Sequence, residues 1–333
     1  MMSKSETSVL KGVAILFMLY LHLFNQPANV ALCEIYLSIG GEPLVSILAR
    51  CANPVAFFII LSGYGLYISH SNGHNGNFKR IVRLYVHYWI ALLIFVTIGY
   101  FVRGGEVYPG SWGKILENVT AWNTTYNGEM WFLFPYMMVA LASKWVFSVI
   151  NRLKWWKVLV ATGLLYLITN IVISRYGDNY IYSHRLFYMP LQYINFLFSF
   201  CIGAMMAKYN IVNKCKKTEG LPLLFILVAV NAYINKGIVY PLYSAAFIVL
   251  FAKIRRPSWL DTALNELGKR STSMWFVHSY FCYYLFKDFI YGLRFPIVIF
   301  AVLLTLCYLT AIAIDWLNGL AQKNLLLHPN KSH

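Results

Sequence analysis

Ten apolar runs of roughly membrane-crossing length constrain this 333-residue chain more than any other feature. A helix needs about twenty consecutive apolar residues to cross a bilayer, because its backbone polar groups must be satisfied within the segment. The runs fall at roughly 9–24, 45–69, 82–102, 130–150, 156–174, 190–208, 221–235, 238–253, 272–292 and 295–318. This pattern predicts an all-α polytopic integral membrane protein with about ten transmembrane helices, both termini cytoplasmic, and a single domain over 1–333. The seventh and eighth runs are short, with a tight hairpin expected at Gly237. Merging them would leave nine spans and move the C-terminus to the other side.

Composition agrees. Hydrophobic residues make up 59% and charged residues 12%, about half the charged fraction of a soluble domain. The net charge of +16 would suggest nucleic acid in a soluble protein, but here the basic residues cluster in short loops. With ten spans, about twenty of the 28 Lys and Arg fall on the N-terminal side, as the positive-inside rule requires. No nucleic-acid partner is expected. Cys33, Cys51, Cys201, Cys215, Cys282 and Cys307 show neither metal spacing nor a disulfide framework. No metal is expected. Lys4 and Lys11 precede the first run as in a signal peptide, yet no small-x-small cleavage site follows, which predicts a retained first helix.

Ionisable residues inside the apolar layer mark function by default. Lys11 and His22 are eleven residues apart, so at about 100° per residue they share one face, roughly 16 Å apart along the axis. At the start of the third run, Arg80, Arg83 and His87 share a face at a helix N-terminus, an arrangement suited to phosphate oxygens. Asn53-Pro54 interrupts the second run, and Ser62-Gly63-Tyr64-Gly65 follows. The glycines predict close helix packing, while Ser62 and Tyr64 are candidates to line a cavity. Glu129 opens the fourth run, to orient an imidazole, to accept a proton from a hydroxyl, or as a solvated end charge. Ser271 and His278 lie on one face of the ninth run, and Asp315 reads as an end charge of the last. The loop at 103–129 holds Trp112, Trp122 and Tyr126, a candidate for dipping back into the interface, and the sequons at Asn118 and Asn123.

Together these pieces resemble the acyltransferase type 3 family of integral-membrane acyltransferases. Lys11, ten intervening residues and His22 look like its leading motif; Pro54 through Ser62-Gly63-Tyr64 is similar to its second-span stretch. Arg80-x-x-Arg83 matches its paired arginines, and Leu267-Gly-Lys-Arg-Ser271 through His278 looks like its late Gly–Ser–His stretch. Two departures stand out: Tyr85 where a proline commonly follows the arginines, and Glu129 ahead of Trp131 rather than after a Trp-Ser-Leu stretch. The resemblance implies a stand-alone member, without an appended extracytoplasmic hydrolase-like domain, in the bacterial inner membrane. It would move an acetyl or short acyl group from cytoplasmic acetyl-CoA or another acyl-CoA to a hydroxyl of an extracytoplasmic or lipid-linked glycan. His22, Lys11 and Glu129 would be the catalytic candidates. Arg80, Arg83, Lys11, Ser62, Tyr64, His87 and His278 would contact the donor. Membrane lipids are partners, and a homo-oligomer is compatible. Two other classes compete: a carrier or flippase that uses the same polar face, which the lack of an internal repeat disfavours, and a non-catalytic scaffold.

Overall fold

A computed structural model describes residues 2–74, 76–214 and 220–326. Cys215, Lys216, Lys217 and Lys331 lie outside the described residues. Among these described residues ten longer helices run in order: α1 (Lys4–Phe24), α2 (Pro54–Ser71), α3 (Asn77–Arg103), α4 (Leu133–Arg152), α5 (Trp155–Tyr176), α6 (Arg185–Lys208), α7 (Gly220–Ile234), α8 (Tyr240–Lys253), α9 (Ser258–Ser279) and α10 (Pro296–Leu326). The protein is a helical membrane protein. Among the described residues seven stretches are long and apolar enough to cross a bilayer, and α7 and α8 are shorter apolar helices. Apolar side chains such as Phe101, Leu164 and Ile171 stand exposed on the outer faces of α3 and α5, as lipid-facing positions require.

Local chemistry explains the helix starts. Ser3 and Glu6 form a reciprocal capping box, so α1 begins at Lys4. The second run breaks in two: a short helix Leu44–Cys51 ends before Asn53, whose side chain accepts from Ala56 N while Pro54 opens α2. Between α1 and that short helix lies a two-residue-per-strand antiparallel hairpin, Ser38–Ile39 with Glu42–Pro43.

The ninth run departs most from its expected span. α9 starts at Ser258, well before 272, because its polar first half is helical too, and it gives way at Tyr280 to a π-turn, Tyr280–Tyr284, and then a short helix, Lys287–Gly292. Distant side chains satisfy backbone acceptors around this break: Asn127 Nδ2 donates to Phe276 O (3.1 Å), and Arg103 donates to Tyr284 O. At the α7–α8 connection the left-handed residue is Asn235 (φ 45°), not Gly237.

Two helix pairs carry the architecture, and both are glycine-mediated. A Cβ on Gly12 would stand 2.0 Å from Leu264 O, and one on Gly268 would stand 1.8 Å from Ser8 O, which locks α1 against α9. Gly63 meets Phe200 O and Gly203 meets Ile60 O in the same way, at 2.1 and 1.9 Å, so α2 is locked against α6. Gly65 has nothing within 4 Å and takes no part in packing. α1 and α9 run parallel: Ser8 Oγ donates to Asn265 O, and near the other end the Tyr283 hydroxyl, just past α9, donates to His22 O. The Lys11–His22 stripe therefore lies along Ser271–His278.

The loop after α3 folds back along that helix. Tyr85, Tyr88 and Trp89 donate to the backbone oxygens of Thr120, Asn118 and Val119. Tyr85, standing where the family's proline is common, is one of these anchors. Asn118 is fully buried: its amide bonds Lys114 O and Thr125 Oγ1 and accepts from Tyr126 N. The first sequon is thus a structural knot in the folded protein, with no free amide for a glycan.

Candidate functional site

The returning loop delivers Glu129 to the last turn of α1. Asn127 clamps it there: besides bonding Phe276 O, its Oδ1 accepts from Ser279 Oγ (2.6 Å) and Glu129 N (3.2 Å). Glu129 Oε2 then faces His22 Nε2 at 3.5 Å, long for a direct hydrogen bond and short enough for one hydroxyl to bridge the two.

His22 is also held from its other side. The Tyr283 hydroxyl donates to His22 O and lies 3.4 Å from His22 Nδ1. Its single proton is committed to the carbonyl, so its oxygen is available to accept from Nδ1–H. By this hydrogen-bond assignment the Nε2 lone pair is turned toward Glu129. His278 packs behind, ring centroids 4.8 Å from His22, fully buried, with Nδ1 bonded to Trp275 O at 2.7 Å.

One cavity of about 420 Å³ joins this pair to the cations. Lys11, His22, Ser62, Arg80, Arg83, His87 and Glu129 all line it, with walls from Phe58, Trp131, Phe132, Tyr136 and Trp275. Lys11, Arg80 and Arg83 stand exposed at its open end. None of the three is ion-paired among the described residues, and Glu129 is the only acidic residue described in the lining. One end is therefore strongly positive, while the other holds an imidazole and a carboxylate, with the Tyr283 phenol behind the imidazole.

Two sequence-derived candidates fall elsewhere. Tyr64 is buried on another face of α2, and its hydroxyl accepts from Met2 N at 2.7 Å. One residue beyond Ser62 on a helix means a turn of about 100°, which carries it away from the cavity. His278 does not line the cavity either, because the His22 ring stands beside it. Its neighbour on the same face, Ser271, does line it. Sequence alone did not single out Tyr283, Asn127 or Ser273. Asn127-Gly128 directly before an apolar run was a readable cap signal for the second; Tyr283 sits in an aromatic run and gave none. Asp315 is not a free end charge, being bonded to Ser273 Oγ and Arg270. Among the described residues no cluster of His, Cys, Asp or Glu could hold a metal ion.

Helical spans around one cavity, with cations at its open end and a His–Glu pair at the other, define a membrane protein with a polar internal site. The comparison by family specifies it: a model of the acyltransferase domain matches residues 7–316. The chain belongs to the acyltransferase type 3 family of membrane acyltransferases. No curated protein and no solved structure matches it.

Proposed function

We propose that the protein transfers an acetyl or similar short acyl group from acyl-CoA to a hydroxyl of an extracytoplasmic or lipid-linked glycan, across a bacterial inner membrane. One observation carries this: His22 and the Lys11–Arg80–Arg83 group open onto the same cavity. The donor is a polyanion, and planar guanidiniums at a helix N-terminus bind its phosphates bidentately. Lys11 adds a third charge. Ser62 and the aromatic walls accompany the arm of the donor inward, where exclusion of water protects the thioester from hydrolysis. At the far end the acceptor hydroxyl enters between His22 Nε2 and Glu129. His22 takes its proton as the oxygen attacks the acyl carbon; Glu129 holds the imidazolium, and Tyr283 keeps Nε2 turned to the reaction.

The test is acetyl-CoA-dependent thermal stabilisation of the detergent-solubilised protein, paired with mass spectrometry of surface glycans from cells with and without the gene. A dose-dependent rise in melting temperature and one acetyl increment lost with the gene are expected. No stabilisation by acetyl-CoA, with glycans unchanged, would rule the reaction out.

A further inference from the structure

Beside the cavity, between α3, α9 and α10, runs a chain of polar side chains that the scheme above does not use. His87 of α3 lines the cavity and is otherwise buried. Its Nε2 lies 2.7 Å from Ser273 Oγ and 3.4 Å from Asp315 Oδ1. Ser273, fully buried in α9, bonds Asp315 Oδ1 through the same hydroxyl. A carboxylate only accepts, so the serine donates to Asp315 and accepts from the imidazole Nε2–H. Asp315 Oδ2 takes Arg270 Nη1 at 3.1 Å, and Arg270 Nε reaches Glu266 at 2.9 Å. Three helices thus fix one imidazole with Nε2 turned into the network. Its Nδ1 has no hydrogen bond among the described residues.

Position gives this arrangement a use. Arg83 and Arg80 precede His87 on the same helix by about one and two turns, roughly 6 and 10 Å. His87 meets α9 at Ser273, while His22 stands against His278, about 7 Å further along that axis. His87 therefore lies between the anion-binding mouth and His22. A donor with phosphates on the guanidiniums and its acyl carbon at His22 has its sulfur on the mouth side of His22, where His87 is. In a low-dielectric cavity an unpaired thiolate is costly, so the site must meet the charge that leaves on sulfur.

We infer that His87 protonates the departing thiolate and that Ser273 and Asp315 are positioning residues that hold it for that step. The inference rests on acyl-CoA as the donor. Attack forms the ester C–O bond and breaks the C–S bond, whose electron pair leaves on sulfur. The acceptor's proton goes to His22, and a proton passes from the His87 imidazolium, at Nδ1, to the sulfur. His87 is left neutral, with Nε2–H still on Ser273. It regains a proton from water at the open end as the CoA thiol departs, and His22 returns its own to solvent.

The experiment follows CoA thiol release from acetyl-CoA, with membranes of the native cell supplying the acceptor. Wild type is compared with Ser273→Ala, Ser273→Thr, Asp315→Asn and His87→Gln. His87→Gln should lower kcat about 10²-fold, and Ser273→Ala and Asp315→Asn about tenfold. KM for acetyl-CoA should stay within about twofold in all of them, and Ser273→Thr should recover most of the rate. Ser273→Ala removes one buried oxygen and is the decisive variant if Asp315→Asn fails to fold. A raised KM with kcat held would overturn the relay, since His87 would then only anchor the donor. Wild-type turnover with Ser273→Ala unchanged overturns the relay alone; a wild type that releases no CoA overturns the donor assignment and the relay together.

Discussion

His22 Nε2 and Glu129 Oε2 face each other across 3.5 Å, one at the end of α1 and the other at the end of a loop that has folded back along α3. Neither helix alone makes this pair. It exists because Asn127 pins the loop to α9 and because Tyr283 pins the histidine.

Replacing the histidine tests the pair most directly. His22→Gln should lower transfer by roughly 10²–10⁴-fold, the usual contribution of a positioned general base. Glu129→Gln should cost less, about tenfold to 10²-fold, because in the proposed reaction it supports the imidazolium without accepting the substrate proton. CoA release by variants that elute as monodisperse protein is the measurement. Wild-type turnover in His22→Gln would assign the chemistry elsewhere.

In the proposed reaction the cations act on binding. Arg80→Ala and Arg83→Ala, each made alone, should raise KM for acetyl-CoA by roughly ten- to hundredfold, since hydrogen bonds to charged groups contribute about 1.5–3 kcal/mol each, and leave kcat within a few-fold. Lysine at either position should recover only part of the affinity, because an ammonium lacks the planar fork. Titration of acetyl-CoA in steady-state assays separates the two constants.

Tyr283→Phe removes the oxygen that holds Nδ1 and leaves the ring's packing against His22. Its expected effect is a fall in kcat of about tenfold with KM for acetyl-CoA unchanged, because the base loses its fixed tautomer, not its place. An unaltered kcat would mean that the hydroxyl serves only the backbone of α1.

Glycine substitutions should divide sharply. Gly268→Ala drives a methyl into Ser8 O and Gly63→Ala into Phe200 O, in each case against backbone that has little room to yield. Each should cost about 1–3 kcal/mol, as overpacked cores do. Gly65→Ala meets open space and gains helix propensity, so it should be neutral or stabilising by up to about 1 kcal/mol. Thermal melts in detergent read all three.

The sequence by itself determined what a single helix can express. Apolar length made the chain a membrane protein, and the 3.6-residue repeat placed Lys11 with His22 and Arg80 with Arg83 and His87 on common faces, because that period holds whatever the helix packs against. Asn53-Pro54 broke the second run for the same local reason. Only the tertiary structure decided which faces meet. Gly63 proved to be a contact and Gly65, two residues on, did not. Ser62 reached the cavity, while Tyr64 and His278 were turned from it. Asp315 became a link in a hydrogen-bonded chain that runs from His87 to Glu266, and Tyr283 the orienter of His22, a residue 261 positions away. Such pairings depend on how helices distant in the chain close upon one another, a matter of side-chain volume and glycine contacts that no local period records.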